Sequence, residues 1–144
     1  MANEEVEEVI KGKSGNDSNR HDVVMPGLEG EGSWEWEEIF SKAKLLGEGD
    51  DATRDCDIIR EFIMYMLKRW GRQLNERSEE VKRSAKGRAE AGTHRQTVEN
   101  VRPLVESLSK YTCNSDIRVH LAQICRLVII DRDYIRLVIL TLNE

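Results

Sequence analysis

An all-α fold is what this sequence predicts, and three observations predict it. Apolar residues recur at spacings of three and four along separate segments, as they do on one face of a helix with 3.6 residues per turn. Residues suited to helix ends flank those segments. No βαβ unit, hairpin or internal repeat interrupts them. About four helices follow, arranged as a bundle.

Residues 1–32 mix Glu, Gly, Lys, Asn, Asp and Ser with scattered Val. Such a segment buries too little apolar area to offset its ordering entropy, so a disordered acidic tail is expected there. Residues 33–52 form the next region, a short amphipathic helix and a linker. Ile39, Ala43 and Leu46 fall on one helical face, with Trp36 just ahead. Ser33 suits the start as a cap, and Gly47 suits the end in the left-handed conformation. A helix this short is marginal alone in water, so it docks either on its own domain or on a partner.

The helical domain is expected over 53–144. Its first long helix covers about 53–74, where Ile59, Phe62, Ile63, Met66, Leu67, Trp70 and Leu74 repeat at three and four residues. Gly71 costs about 1 kcal/mol relative to Ala inside a helix, and marks either a close approach of another helix or fraying. The charged stretch 78–88 either extends this helix or forms a separate turn. Thr93-His-Arg-Gln96 fits a capping box, which predicts a second helix from Thr93 to about Lys110 with Val98, Val101, Val105 and Leu108 inward. Pro103 within it predicts a kink. Asn114-Ser115-Asp116 begins a third helix whose expected buried stripe is Ile117, Leu121, Ile124, Cys125 and Val128. Asp131 and Asp133 read as caps of a further element starting at Tyr134, and a uniformly apolar run ends the chain.

Charge is unevenly placed along the 144 residues, of which 39% are apolar and 34% charged. Residues 1–55 carry 15 acidic and 6 basic side chains, whereas 56–144 carry 12 acidic and 16 basic, for a net −5 overall. An acidic tail beside a mildly basic domain suits a protein working near nucleic acid, among other roles. No secretory signal is visible and no apolar stretch reaches the roughly 18 residues of a membrane helix. Cys56, Cys113 and Cys125 are odd in number and widely spaced, which fits reduced thiols inside a cell.

Chemistry finds little purchase. His94, His120, Cys113 and Cys125 lack the close pairs that structural zinc favours, so no metal is expected. No nucleophile signature or phosphate-binding glycine loop is present. A small helical metal-dependent enzyme is the weaker alternative to a binding protein. Lys82, Arg83, Lys86 and Arg88, joined by Arg95 and Arg102, could lie near RNA phosphates. The plainer reading is a solvated face paired with Glu79, Glu80, Glu90 and Glu99, so direct RNA contact stays open.

A set of landmarks adds to this reading. Ala43-Lys-Leu-Leu-Gly-Glu48, Leu67-Lys-Arg-Trp70, Leu74-Asn-Glu-Arg-Ser78, Lys82-Arg-Ser-Ala-Lys-Gly87, Gln96-Thr97, Arg102-Pro-Leu104, Asp116-Ile117 and Arg132-Asp-Tyr134 stand in one order and spacing. From about Trp36 to Arg136 the chain resembles the pre-mRNA-splicing factor 18 family. The resemblance implies a five-helix bundle in a nuclear protein, found in nuclear speckles and associated with the U5 snRNP of the spliceosome. It implies a scaffold without cofactor or enzymatic activity that assists the second step, exon ligation. It also implies binding to the zinc-knuckle second-step splicing factor through the first two helices. Partner contacts are then expected on the polar faces at Arg60, Lys68, Arg69, Arg72, Arg95 and Arg102.

Beyond Arg136 the family continues into a long loop containing Gly-Asn-Ala-Pro-Trp-Pro and a fifth helix, whereas the last eight residues here match nothing in that pattern. The expectation is an incomplete bundle, truncated relative to the family, with an apolar groove left uncovered. The chain alone is then expected either to be marginally stable or to self-associate through that groove and residues 137–142. A truncated or inhibitory isoform, binding the partner without supporting exon ligation, is the alternative function.

Overall fold

The structure, a computed structural model, describes residues 21–131. Every regular element among them is helical: α1 (Trp36–Ala43), a 3₁₀ turn (Glu48–Asp50), α2 (Ala52–Asn75), α3 (Glu79–Arg83), α4 (Ala85–Ser109), α5 (Ser115–Arg126) and a π-helical turn (Leu127–Asp131). The fold is all-α, as the periodicity predicts. Residues 1–20 of the expected tail, the element expected from Tyr134 and the apolar residues 137–142 lie outside the described residues. No described helix is long and apolar enough to cross a membrane.

The chain divides into two compact units. One joins residues 21–26 to Leu67–Asn100; the other joins Gly27–Met66 to residues 101–131. Among the described residues the first unit has nine Lys and Arg against six Asp and Glu, and the second has eight against fourteen. They are called the basic and the acidic unit below.

The acidic unit is built on an apolar core. Ile39, Ala43 and Leu46 turn inward from α1 and its C-terminal end, as their spacing predicts, to meet Cys56, Ile58 and Ile59 of α2, Leu108 of α4, and Ala122, Cys125 and Ile129. Burying each large aliphatic side chain contributes about 1.5–3 kcal/mol. Trp36 adds ring contacts to Phe62 and Tyr65, with centroids 6.3 and 5.3 Å away. So α1 docks on its own chain. The helix stops at Ala43, earlier than expected, with Lys44 as its last cap; Gly47 takes the expected left-handed φ of +82° but opens the 3₁₀ turn instead. Ser33 does not cap α1: its N–H and that of Trp34 both donate to the buried Glu61 carboxylate, at 2.9 and 3.2 Å. Leu28, within the segment expected to be disordered, is 1% exposed.

Two expected faces hold in part. Asn114 caps α5 as predicted, accepting from the N–H groups of Asp116 and Ile117. The face turned inward is Ala122, Cys125 and Ile129, however, while Ile117 and Ile124 are 51% and 55% exposed. Small side chains at 122 and 125 let the helix sit close; of the expected stripe Cys125 is buried and Leu121 packs on the core, while Ile117 and Ile124 face outward. On α2, Met66 likewise faces water, and the inward set is Ile58, Ile59, Met64, Leu67 and Leu74.

In the basic unit α3 is a separate helix, capped by Ser78, and α4 begins at Ala85 instead of Thr93. Its cap is Ser84, whose Oγ accepts from the Gly87 N–H at 3.0 Å and donates to the Val81 carbonyl. Thr93 sits mid-helix, where its hydroxyl donates back to the Ala89 carbonyl, the usual outlet for a Thr one turn on. Gly87 is required by space: a Cβ there would stand 1.8 Å from the Val81 carbonyl oxygen.

Candidate functional site

The basic unit holds most of the sequence-expected site residues. On α2, Lys68 and Arg69 are half-buried and Arg72 is exposed, at spacings of three and four that place them on one side of the helix. Arg83 ends α3, and Lys86, Arg88 and Arg95 follow on α4; all four are exposed. Two of the acids expected to neutralise this surface are engaged, Glu79 with Lys82 of the expected set and Glu90 with a cation outside it. Glu90 pairs with Arg77 at 3.5 Å, and Glu79 with Lys82 at 3.5 Å. Among the described residues Arg72, Arg83, Lys86, Arg88 and Arg95 enter no ion pair.

Lys82 is placed differently from its neighbours. It is 5% exposed, with its ammonium 2.6 Å from an Asp22 carboxylate oxygen. The Asp22 hydrogen bond, opposed by burial and reinforced by the charges of Asp22 and Glu79, holds its pKa above the ordinary lysine value.

Arg60 and Arg102 belong to the acidic unit. Arg60 lies among carboxylates, with its guanidinium 3.0 Å from Asp57, 3.7 Å from Glu61 and 3.8 Å from Glu31. Asp57 also accepts the Tyr111 hydroxyl at 2.8 Å. Arg102 is half-buried, and its Cδ lies 2.9 Å from where a Gly27 Cβ would stand.

The residues that organise the basic unit were missed by pattern reading. His94 is fully buried on α4, edge-on to Trp70 at 4.7 Å, with Nε2 3.1 Å from the Leu67 carbonyl. That geometry makes Nε2–H the donor, and Nδ1 has no partner. Gly71 was legible as a close approach: a Cβ there would stand 3.2 Å from His94 Nε2. Arg77 donates from Nε to the Leu74 carbonyl at 2.8 Å and from a terminal nitrogen to the Gly87 carbonyl at 3.2 Å, tying the end of α2 to the start of α4. Asn75 and Asp22 complete the set, and no local pattern announces either.

No group of three or more His, Cys, Asp or Glu side chains that could hold a metal occurs among the described residues. The arrangement offers charge and shape on rigid helices, which suits recognition.

Comparison with known proteins fits this build. The chain is 35% identical over 100 residues to pre-mRNA-splicing factor 18 of Rattus norvegicus and of Bos taurus, and 32% identical to that of Danio rerio. Each match covers 69% of this chain and 29% of the relative, so the chain spans less than a third of those proteins' length. No solved structure matches it. The Prp18 domain matches residues 60–138, which take in α2 from Arg60 together with α3, α4 and α5, so this chain belongs to the Prp18 family.

Proposed function

We propose that the chain is a non-enzymatic pre-mRNA splicing factor that works in the nucleus by binding other proteins of the spliceosome. Its finer place, also proposed, is the second step, exon ligation, in association with the U5 snRNP. The partner is the zinc-knuckle second-step splicing factor. One observation carries the reading beyond the family likeness: the exposed Arg72, Arg83, Lys86, Arg88 and Arg95 have no ion-pair partner among the described residues. Cations on a rigid helical surface steer and orient an acidic partner. Lys68, Arg69, Arg72 and Arg95 are the proposed protein contacts, with Arg83, Lys86 and Arg88 nearest any RNA. Arg60 and Lys82 hold their own chain's carboxylates and stand outside this surface.

The test is binding of the zinc-knuckle factor to the chain and to a variant carrying Arg69→Glu, Arg72→Glu and Arg95→Glu. The expected result is a loss of about 100-fold in affinity with helical circular dichroism unchanged, since like-charge juxtaposition costs several kcal/mol. Undiminished binding by the folded variant overturns the placement.

A further inference from the structure

Within the basic unit, residues 22–25 form no regular element, and Asp22 and Val23 are held by α3 and α2 in a way that resembles a bound peptide. The Val23 N–H donates to Asn75 Oδ1 at 2.7 Å, and Asn75 Nδ2 donates to the Val23 carbonyl at 3.1 Å. One side chain amide therefore satisfies both backbone groups of one residue, as a neighbouring strand does in a sheet. One residue earlier, the Asp22 carboxylate meets the Lys82 ammonium at 2.6 Å, and Lys82 is 5% exposed. Beside them, Gly71 leaves a space that Val23 fills: its Cγ2 lies 3.5 Å from where a Gly71 Cβ would stand. His94 backs the same glycine.

Backbone recognition combined with one charge pocket and one apolar notch is how extended segments are recognised when they add to a sheet edge. The contacts specify little beyond an acidic residue followed by a β-branched one. They are also mostly polar. Val24 is 68% exposed and Pro26 is exposed, while Val23 and Met25 are half-buried, so much of the segment's apolar area stays in water. Beyond Pro26 the next large apolar side chain, Leu28, belongs to the acidic unit and is 1% exposed. Releasing residues 22–24 leaves that side chain in place.

We propose that Asn75, Lys82 and Gly71 form a docking groove for an extended, acidic segment of a protein partner, and that the chain's own residues 22–24 close it as a latch. A tethered segment competes at an effective concentration of about 1 mM or more, so an incoming peptide binds weakly until the latch leaves. Its apparent affinity falls with the fraction of open groove. This site is separate from the exposed cations proposed above and does not depend on them.

A fluorescein-labelled peptide, His-Asp-Val-Val-Met-Pro, titrated against the full chain and followed by anisotropy, tests this. Asp22→Asn weakens the ion pair and Val23→Pro removes the N–H that Asn75 accepts; both leave the groove residues intact. Each is expected to bind the peptide about tenfold or more tighter than the unaltered chain, equivalent to about 1.4 kcal/mol. Adding Asn75→Ala to either variant is expected to abolish the gain, and a peptide with Asn in place of its Asp is expected to bind about tenfold more weakly. Equal binding by the unaltered chain and both variants, or a gain that survives Asn75→Ala, overturns the proposal. Loss of helical circular dichroism in both single variants overturns it too, because the segment is then part of the fold and not a latch.

Discussion

The two units of this chain are held together by different physics. Among the described residues the acidic unit has a continuous apolar core of ten buried side chains, and several of its polar side chains trim the ends of helices. Glu61 collects the N–H groups of Ser33 and Trp34, Asp55 that of Gly47, and Arg126 caps carbonyls at the end of α1. The basic unit has fewer buried aliphatics, among them Leu67, Leu74 and Val98, and places a His, a Lys and an amide clamp among them. An apolar core tolerates exchange of one aliphatic for another of similar volume. Polar contacts are directional, and a buried donor or acceptor that loses its partner is costly. The first unit is therefore built for stability, and the second for one specific arrangement of helices.

The largest expected effect tests the apolar side. Ile59 is fully buried at the centre of the cluster. Ile59→Ala removes apolar contact and leaves a cavity, lowering the unfolding free energy by about 2–5 kcal/mol. Denaturant unfolding followed by circular dichroism measures it. A loss below about 1 kcal/mol would mean that the cluster collapses around the gap, and that the acidic unit does not depend on close packing.

Next in size is Gly87→Ala. The added Cβ must displace the Val81 backbone, which cannot yield as a flexible side chain does. The Ser84 cap and the Arg77 bond to the Gly87 carbonyl are disturbed with it. A destabilisation of about 2–3 kcal/mol is expected, at the upper end of overpacking effects. Hydrogen exchange by mass spectrometry should show faster exchange in α3 and the start of α4, with α1 unchanged. Equal acceleration in α1 would erase the distinction between the units.

The same difference explains what was legible in the sequence. Apolar periodicity found α2 and the inward set Ile39, Ala43 and Leu46, because area burial repeats with helical period. On α5 it found Cys125 but misjudged Ile117 and Ile124, which outrank Ala122 in hydrophobicity although the smaller residue permits the closer approach. It misplaced the start of α4 because Thr93 and Gln96 match a local pattern that occurs inside helices as well as at their ends. The latch was illegible for a stronger reason. Asp22 and Lys82 are 60 residues apart, and Val23 and Asn75 are 52 apart. Neither pairing has any periodic trace, and Asp22 stands in a stretch whose composition reads as disordered.

The smallest effect near neutral pH comes from the cysteines, all three of which lie in the acidic unit. Burial pushes the Cys125 thiol up to about 12, and burial followed by the charge of Cys113 raises that of Cys56. An unfolded thiol ionises near 8.5. Below that value both states keep the proton, and the full stability of the folded form is present. Above it the unfolded chain loses protons that the folded chain retains, so stability falls as pH rises from about 9 toward 12, with a limiting slope of about 1.4 kcal/mol per pH unit per thiol. Near pH 8 a thiol-specific reagent should label the half-buried Cys113 and spare Cys56 and Cys125 until the acidic unit opens. Labelling of those two thus reports on one unit alone: Ile59→Ala should accelerate it strongly, and Gly87→Ala should leave it near the unaltered rate. Rapid modification of all three in the native chain would show that the apolar core does not exclude the reagent, and the contrast between a packed unit and a polar one would fail.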